Sequence, residues 1–196
     1  DVLQYPQHVH YGAPLKRNAF RALIEEHFIG APSAAVVKME VIRKIGMFDS
    51  RYTSSQDYDF WLRCATVTDF VVLADVLLYK RNHPGNISTN VIRTHTHRRE
   101  VLRNAILEQD SYIRRHGLTG LCKRALAKEH YYLGNLYYEE GEQKKAFEIF
   151  REGLAVDRRF FNYALYGWAV LKKQLRLWTG DALSRRRLKR LIGRER

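Results

Sequence analysis

The chain has 196 residues, of which 45% are hydrophobic and 28% are charged, a composition typical of a folded protein and unlike that of a disordered segment. Two cysteines are too few for a disulfide framework, so a reducing cytoplasm is the expected setting. No apolar run approaches the roughly 20 residues that cross a bilayer. The net charge is +13, and residues 172–196 hold ten Lys and Arg against two acids. The basicity is therefore mostly a property of the C-terminal tail.

Mixed polarity predicts a loop over residues 1–20, with at most one short helix. A small-residue turn followed by an apolar run predicts a buried strand within residues 28–37. Residues 39–45 have the pattern of a short helix, which Gly46 would end by adopting a positive φ. Residues 56–66 predict a second helix, because small hydroxyl residues that can N-cap it come directly before.

Ser54 or Ser55 is the candidate for that N-cap. Farther along, residues 70–73 and 76–79 are rich in β-branched and apolar side chains and predict strands. From Thr94 onward the pattern becomes helical, and residues 98–115 have the pattern of an amphipathic helix.

Residues 127–160 match a tetratricopeptide repeat of about 34 residues. Gly141 stands at the turn between its two helices, while His130 replaces the usual Trp and Arg158 the usual Pro. The repeat's expected large and small positions are held by Leu133, Gly134, Tyr137, Ala146 and Phe150. Residues 161–178 predict a further helix that would cap the repeat. Because such arrays normally need about three repeats, this unit is expected to pack on a neighbouring helix or domain.

Three blocks in the first half of the chain carry the most specific signal. They are Ile45-Gly46-Met47-Phe48-Asp49, Ser55-Gln56-Asp57-Tyr58-Asp59-Phe60-Trp61-Leu62-Arg63 and Arg81-Asn82-His83-Pro84-Gly85-Asn86-Ile87-Ser88. Their order, spacing and residue types resemble the second half of the catalytic domain of a family 2 glycosyltransferase, the inverting GT-A type. The resemblance covers roughly residues 25–92.

This resemblance implies an α/β fold: part of a GT-A, nucleotide-diphospho-sugar transferase-like domain over residues 1–92. An all-α extension with the repeat would follow over residues 93–196. The implied activity is transfer of a sugar, with inversion, from a nucleotide-sugar donor (UDP-linked) to a hydroxyl of a glycan or lipid-linked acceptor. Bacterial surface polysaccharide or glycolipid synthesis would be the setting. A divalent metal, Mn or Mg, would be bound mainly by an upstream half with a D-x-D motif, so this chain alone is expected to be inactive.

Asp57 maps onto the catalytic base of the family. Inverting transfer needs a base to take the proton of the acceptor hydroxyl, and the first turn of a helix favours an ionised carboxylate. The alternative is that Asp57 only stabilises the start of the helix. Asp59, a candidate substrate-binding residue within the same motif, lies about 200° farther around the helix, so it is expected to bind loop backbone or to pair with Arg63 at i+4. Trp61 would line the acceptor cleft or belong to the core, and the core is favoured.

His83 corresponds to a histidine that reaches the metal or the diphosphate in similar enzymes, and Arg81 would hold the diphosphate. The alternatives are a surface-loop histidine and an ordinary charge at a strand end. Two H-x-H pairs, at 8–10 and 95–97, have a spacing that can chelate a metal on a strand, but no carboxylate or Cys nearby completes a site.

The tail over residues 172–196 mixes Leu and Trp178 with its basic residues, as in a segment that lies on anionic lipid. A solvated terminal helix is the alternative. No nucleic-acid-binding motif accompanies the charge, so nucleic acid is not an expected partner. The expected location is cytoplasmic, with peripheral association at the inner face of the plasma membrane. A rival function is a protein-interaction module, in which the repeat binds a partner and the basic tail binds a membrane surface.

Overall fold

The computed structural model describes residues 13–14, 18–29, 31–73, 75, 77–78 and 90–157. These residues form seven α-helices, one 3-10 turn and one antiparallel pair of two-residue strands. The helices are α1 Ala19–Glu25, α2 Met39–Ile45, α3 Gln56–Cys64, α4 Val91–Glu108, α5 Asp110–Arg115, α6 Thr119–Glu139 and α7 Gln143–Val156. Strand β1, Ala13–Pro14, pairs with β2, Val71–Val72.

The prediction of an α/β, GT-A-type fold is wrong for the described part of the chain, which is essentially all helical. Residues 28–37 do not form the predicted strand: the chain makes a 3-10 turn at Pro32–Ala34, and Val36 is fully exposed. Proline has no N–H for a ladder, and a strand needs a partner that local sequence does not reveal. Of residues 70–73 only β2 pairs, and the predicted strand at 76–79 lies partly outside the described residues.

The short helices follow their local signals closely. α2 ends where predicted, and Gly46 adopts a φ of 84°, a conformation that only glycine takes without strain. α3 begins at Gln56 as predicted and ends at Cys64, two residues before the predicted end. The helix predicted around residues 98–115 is in fact two helices, α4 and α5, which meet at Gln109.

Helix α4 lies at the centre of the described structure, with α3 on one side and α6 on the other. One hydrophobic cluster joins α1, α3, α4 and the first half of α6. Its fully buried side chains include Phe20, Leu23, Leu62, Leu102 and Cys122. Each large apolar side chain buried in this way contributes about 1.5–3 kcal/mol. The cluster therefore bridges the predicted boundary between residues 92 and 93.

Helices α6 and α7 form an antiparallel hairpin at the position of the predicted repeat. Gly141 makes the turn with a φ of 83°. Inside the hairpin Gly134 faces the ring of Phe150, and Gly153 faces His130, which is buried and bonded to the Leu126 carbonyl at 2.8 Å. Helix α6 of this unit packs mainly on α4 and also on α1, so the unit has neighbours of the kind that the sequence led us to expect.

Candidate functional site

The segment before α3 is fastened to α4 by side-chain hydrogen bonds. The Ser54 N–H donates to His97 Nδ1 at 3.1 Å, and the Ser54 hydroxyl lies 2.8 Å from the same nitrogen. The Ser55 hydroxyl donates to the Thr94 carbonyl at 3.3 Å. Because a backbone N–H can only donate, His97 Nδ1 is an acceptor, and the imidazole carries its proton on Nε2. Helix α4 thereby fixes the point at which α3 begins.

Ser55 takes the N-cap position of α3 with a left-handed backbone, φ 60° and ψ 15°. Among the described residues it is the one non-glycine residue with positive φ. Its side chain does not cap the helix, so the predicted N-cap position is right but the predicted capping hydrogen bond is absent. A left-handed serine costs of order 1 kcal/mol or more, and such conformations concentrate at functional sites.

Asp57 lies in the first turn of α3, partly buried. Its Oδ1 accepts the N–H of Tyr58 at 2.9 Å. No Lys, Arg or His of the described residues forms an ion pair with it. The nearest histidine that feels its charge is His27: burial lowers the pKa of His27 to about 4, and the Asp57 carboxylate opposes this shift. Since His27 is therefore neutral near pH 7, it does not form an ion pair with Asp57.

Asp59 has the opposite surroundings. It is buried, and Arg63 Nε and Nη2 both donate to its Oδ2, at 2.9 and 2.8 Å. The same guanidinium donates to the carbonyls of Ile45 at 2.7 Å and Met47 at 2.9 Å. Burial raises the pKa of Asp59, and Arg63 opposes that shift. The i,i+4 pairing that the sequence suggested is therefore present, and it ties Asp59, through Arg63, to the loop that follows α2.

Three polar atoms around the start of α3 are buried and have no hydrogen-bond partner within the described residues. They are His27 Nε2, Gln56 Oε1 and Trp61 Nε1. Such atoms are uncommon in folded proteins. The Trp61 indole itself is 3% exposed and packs edge-on against Phe60, so the structure places it in the core, the favoured alternative, and not along a cleft.

A cleft of about 530 Å³ opens beside His27, between the end of α1, α4 and α6. Tyr58 and His27 form its inner end, with their rings 4.9 Å apart. The Arg98 guanidinium carbon lies over the Tyr58 ring, 4.9 Å from the ring centre. Tyr58, which lines the cleft, directly follows Asp57 in the chain. His27 also lines the cleft, and the charge of Asp57 acts on it.

The wall between α4 and α6 is built around a buried carboxylate. Glu129 is 5% exposed, and its two oxygens contact His95 Nδ1 at 2.7 Å and Arg98 Nε at 2.9 Å. Because both oxygens face α4, this acid joins the helical hairpin to the helix that also positions the start of α3. A buried carboxylate without such partners would cost several kcal/mol.

The remaining predicted site residues have different outcomes. Arg81 and His83 lie outside the described residues, as do residues 172–196 and the 8–10 histidine pair. His95 and His97 are on a helix and contact Glu129 and Ser54 respectively, so they do not converge on one ion. No group of three or more metal-ligating side chains occurs among the residues that the structure describes.

Sequence reasoning did not identify His27, Arg98, Glu129 or His97 in their present roles. A helical reading of residues 95–102 would place His95 and Arg98 on one face of α4. The carboxylate that joins them is 34 residues farther along, and no local pattern indicates it.

No protein-family model, curated protein or solved structure matches this chain. Among the described helices, none is both long and apolar enough to cross a membrane.

Proposed function

We propose that the chain supplies the acceptor-side part of an inverting glycosyltransferase, with Asp57 as the catalytic base. The reaction is transfer of a sugar from a nucleotide-sugar donor to a hydroxyl group. The proposal rests on the motif resemblance and on the surroundings of one carboxylate. It does not rest on an α/β domain, which the described residues do not form.

The observation that carries the proposal is the contrast between the two acids of the motif. Asp59 is buried and bound twice by Arg63, whereas Asp57 is partly buried, has no ion pair in the described part and lies behind the left-handed Ser55. A base must be ionised and able to accept a proton, and a carboxylate already bound by a guanidinium is a weaker one. The geometry thus separates a structural acid from an available one.

In the proposed step the proton of the acceptor hydroxyl passes to the Asp57 carboxylate as the hydroxyl oxygen forms a bond to the anomeric carbon. The bond from that carbon to the donor phosphate oxygen breaks, and its electron pair leaves with the nucleoside diphosphate. The metal that the resemblance implies enters no step assigned to the described residues, which provide no ligand cluster for it.

The test is sugar transfer by the protein expressed together with any coding sequence upstream of Asp1. Asp57→Asn keeps the size of the side chain and removes its basicity, so we expect transfer to fall by about 10²–10⁴-fold. Binding of the nucleotide-sugar, measured by calorimetry, should stay within a factor of about two, because the proposed base acts on the acceptor hydroxyl and not on the donor.

Asp69→Asn is the matched control, since Asp69 is an exposed carboxylate on the loop after α3. It should leave both transfer and binding unchanged. Near-normal turnover of the Asp57→Asn protein would remove Asp57 from the mechanism. A complete protein that binds no nucleotide-sugar would remove the transferase function itself.

The α6–α7 hairpin supports a second candidate function, a helical module that binds a protein partner. Tyr132 on α6 is a half-exposed aromatic side chain of the kind enriched at interfaces. Partner capture that is lost in Tyr132→Ser, together with the absence of nucleotide-sugar binding, would favour this function. Lipid binding by residues 172–196 also stays a prediction, and loss of binding to anionic vesicles on their deletion would test it.

A further inference from the structure

The acidic and the basic side chains of the cleft between α1, α4 and α6 differ in whether they have partners within the described structure. Each of its three acidic side chains has an interaction: Glu129 is bound by His95 and Arg98, Glu25 lies 3.5 Å from Arg21, and Glu26 also has an interaction. The charges of Glu129 and Glu25 are therefore partly offset by these cations, which lowers their repulsion of a bound anion.

Two cations of the cleft have no carboxylate partner among the described residues. They are Arg124 and Lys128, one turn apart on α6 and both exposed along the wall. Lys128 Nζ lies 5.5 Å from the centre of the Tyr132 ring, which continues the same row of side chains and is 42% exposed. An ammonium and a guanidinium on one wall give an anion two separate donors.

We propose that this cleft binds an anionic sugar, with its phosphate or carboxylate at Arg124 and Lys128 and its ring against Tyr132. Leu121 and Ala125, on the same helix, supply apolar surface below the ring. A cleft of about 530 Å³ is large enough for a monosaccharide phosphate, because small-molecule sites span roughly 300–1,000 Å³. That the ring is a sugar rests on the proposed transferase function.

The position of the cleft connects this ligand to the candidate base. Tyr58 lines the cleft and directly follows Asp57, and His27 both lines it and feels the Asp57 charge. An acceptor saccharide held by α6 would therefore reach toward the first turn of α3. In this arrangement the helical hairpin is the part of the chain that selects the acceptor by its charge.

The experiment is calorimetric titration of the 196-residue chain with glucose 1-phosphate, glucuronate, glucose and inorganic phosphate. We expect the two anionic sugars to bind at least about tenfold more tightly than glucose, because charge-assisted contacts carry the affinity. Tighter binding of glucose 1-phosphate would identify a phosphorylated saccharide as the ligand, and tighter binding of glucuronate would identify a uronate. The proposal would be overturned if glucose bound as tightly as the anionic sugars, or if inorganic phosphate bound as tightly as glucose 1-phosphate.

Substitutions locate the site. Arg124→Ala with Lys128→Ala should weaken glucose 1-phosphate binding by about tenfold. Lys123→Ala with Arg151→Ala removes the same charge from exposed positions outside the cleft and should change nothing. Tyr132→Leu should weaken binding of the sugar phosphate and leave that of inorganic phosphate as it was. Equal losses in the two double variants would mean that binding follows net charge, and the cleft assignment would be wrong.

These results are separable from the test of Asp57. In Asp57→Asn the cleft should bind glucose 1-phosphate as before, because its cations are on α6. Sugar binding without transfer in the complete protein would leave the cleft standing and the transferase function rejected. Transfer without selective binding of anionic sugars would support the transferase function and reject the cleft as a site for an anionic sugar.

Discussion

Two regions of the molecule are stabilised by different means. The motif region, α2 to α3 with its connecting loop, is held by polar contacts that converge on Arg63, which binds Asp59 and two loop carbonyls. The hairpin region, α6 to α7, is held by close packing: Gly134 leaves room for the Phe150 ring, and Gly153 for His130. In the first region a few directional bonds fix a loop, and in the second the shapes of many side chains fix two helices.

The difference matters because it separates positions that can vary from positions that cannot. A polar hub fails when one partner is removed, since the others are left buried without their hydrogen bonds. A packed interface fails when volume is added. Variants designed for each region should therefore differ in size of effect and in where the structure opens.

The largest effect is expected from Arg63→Met. The change keeps much of the side-chain volume, but it leaves the Asp59 carboxylate buried and two loop carbonyls without their donor. We expect the free energy of unfolding, measured by urea denaturation, to fall by about 3–5 kcal/mol.

Arg43→Met, at an exposed position of α2, is the control and should stay within about 0.5 kcal/mol of the unchanged protein. Adding Asp59→Asn to Arg63→Met should restore part of the loss, because the buried charge is gone. A loss below about 1 kcal/mol for Arg63→Met would show that the contacts of Arg63 stabilise the fold no more than an ordinary surface ion pair does.

The next effect concerns the junction of the two regions, where His27 packs on Tyr58. Burial lowers the pKa of His27 to about 4 in the folded protein, against about 6.5 in the unfolded chain. Between these values the unfolded chain binds a proton that the folded protein excludes. The stability from neutral His27 is therefore complete above about pH 6.5 and is lost as the pH falls toward 4, by roughly 3 kcal/mol in all.

Urea denaturation from pH 7 to pH 4 would measure this loss, to which His130 contributes in the same direction because burial also lowers its pKa. In His27→Gln the slope with pH should be visibly smaller. His116→Gln, at an exposed position, should keep the full slope. Parallel curves for His27→Gln and the unchanged protein would show that His27 does not titrate between these limits.

The sequence predicted the motif region better as local structure than as a fold. The end of α2 at Gly46 and the start of α3 at Gln56 depend on one or two residues, and both signals were sufficient. The prediction of a strand within 28–37 was wrong for two reasons. An apolar, β-branched run does not show which other strand it would pair with, and Pro32 near its centre favours a turn. The α/β assignment came from the motif resemblance, and the described residues do not form the sheet that this resemblance implies.

The candidate site shows the same division. The pairing of Asp59 with Arg63 follows from i+4 spacing, and the contrast with Asp57 could be argued from helix geometry alone. The contacts that give the site its surroundings join residues far apart: Ser54 to His97 spans 43 positions, and His95 to Glu129 spans 34. A single sequence does not specify such pairs, because their residue types are common and their separation has no period.

A smaller effect is expected in the hairpin from Gly134→Ala. The added Cβ would lie 2.5 Å from a carbon of the Phe150 ring, which is itself 4% exposed, so one of the two helices must shift. The overpacking costs about 1–3 kcal/mol and the gain in helix propensity offsets about 1, which leaves a net loss of up to about 2 kcal/mol. Gly120→Ala on the same helix meets only Arg124 Nη1 at 3.4 Å and should be neutral or slightly stabilising. Equal effects of the two changes in urea denaturation would contradict the close-packing account.

The smallest effect uses one buried cysteine in each region. Burial raises the pKa of Cys64 in α3 and of Cys122 in α6 to about 11, so both thiols should react slowly with iodoacetamide until the surrounding structure opens. Arg63→Met should accelerate labelling of Cys64 more than of Cys122, and Gly134→Ala should do the opposite. We expect each ratio of rates to change by about threefold, or roughly 0.7 kcal/mol of local opening. Peptide mass spectrometry after timed labelling gives both rates in one sample. If each variant accelerates labelling of the two cysteines by the same factor, α3 and α6 open as one cooperative unit. The hydrophobic cluster that the two helices share would then determine their opening more strongly than the contacts specific to each region.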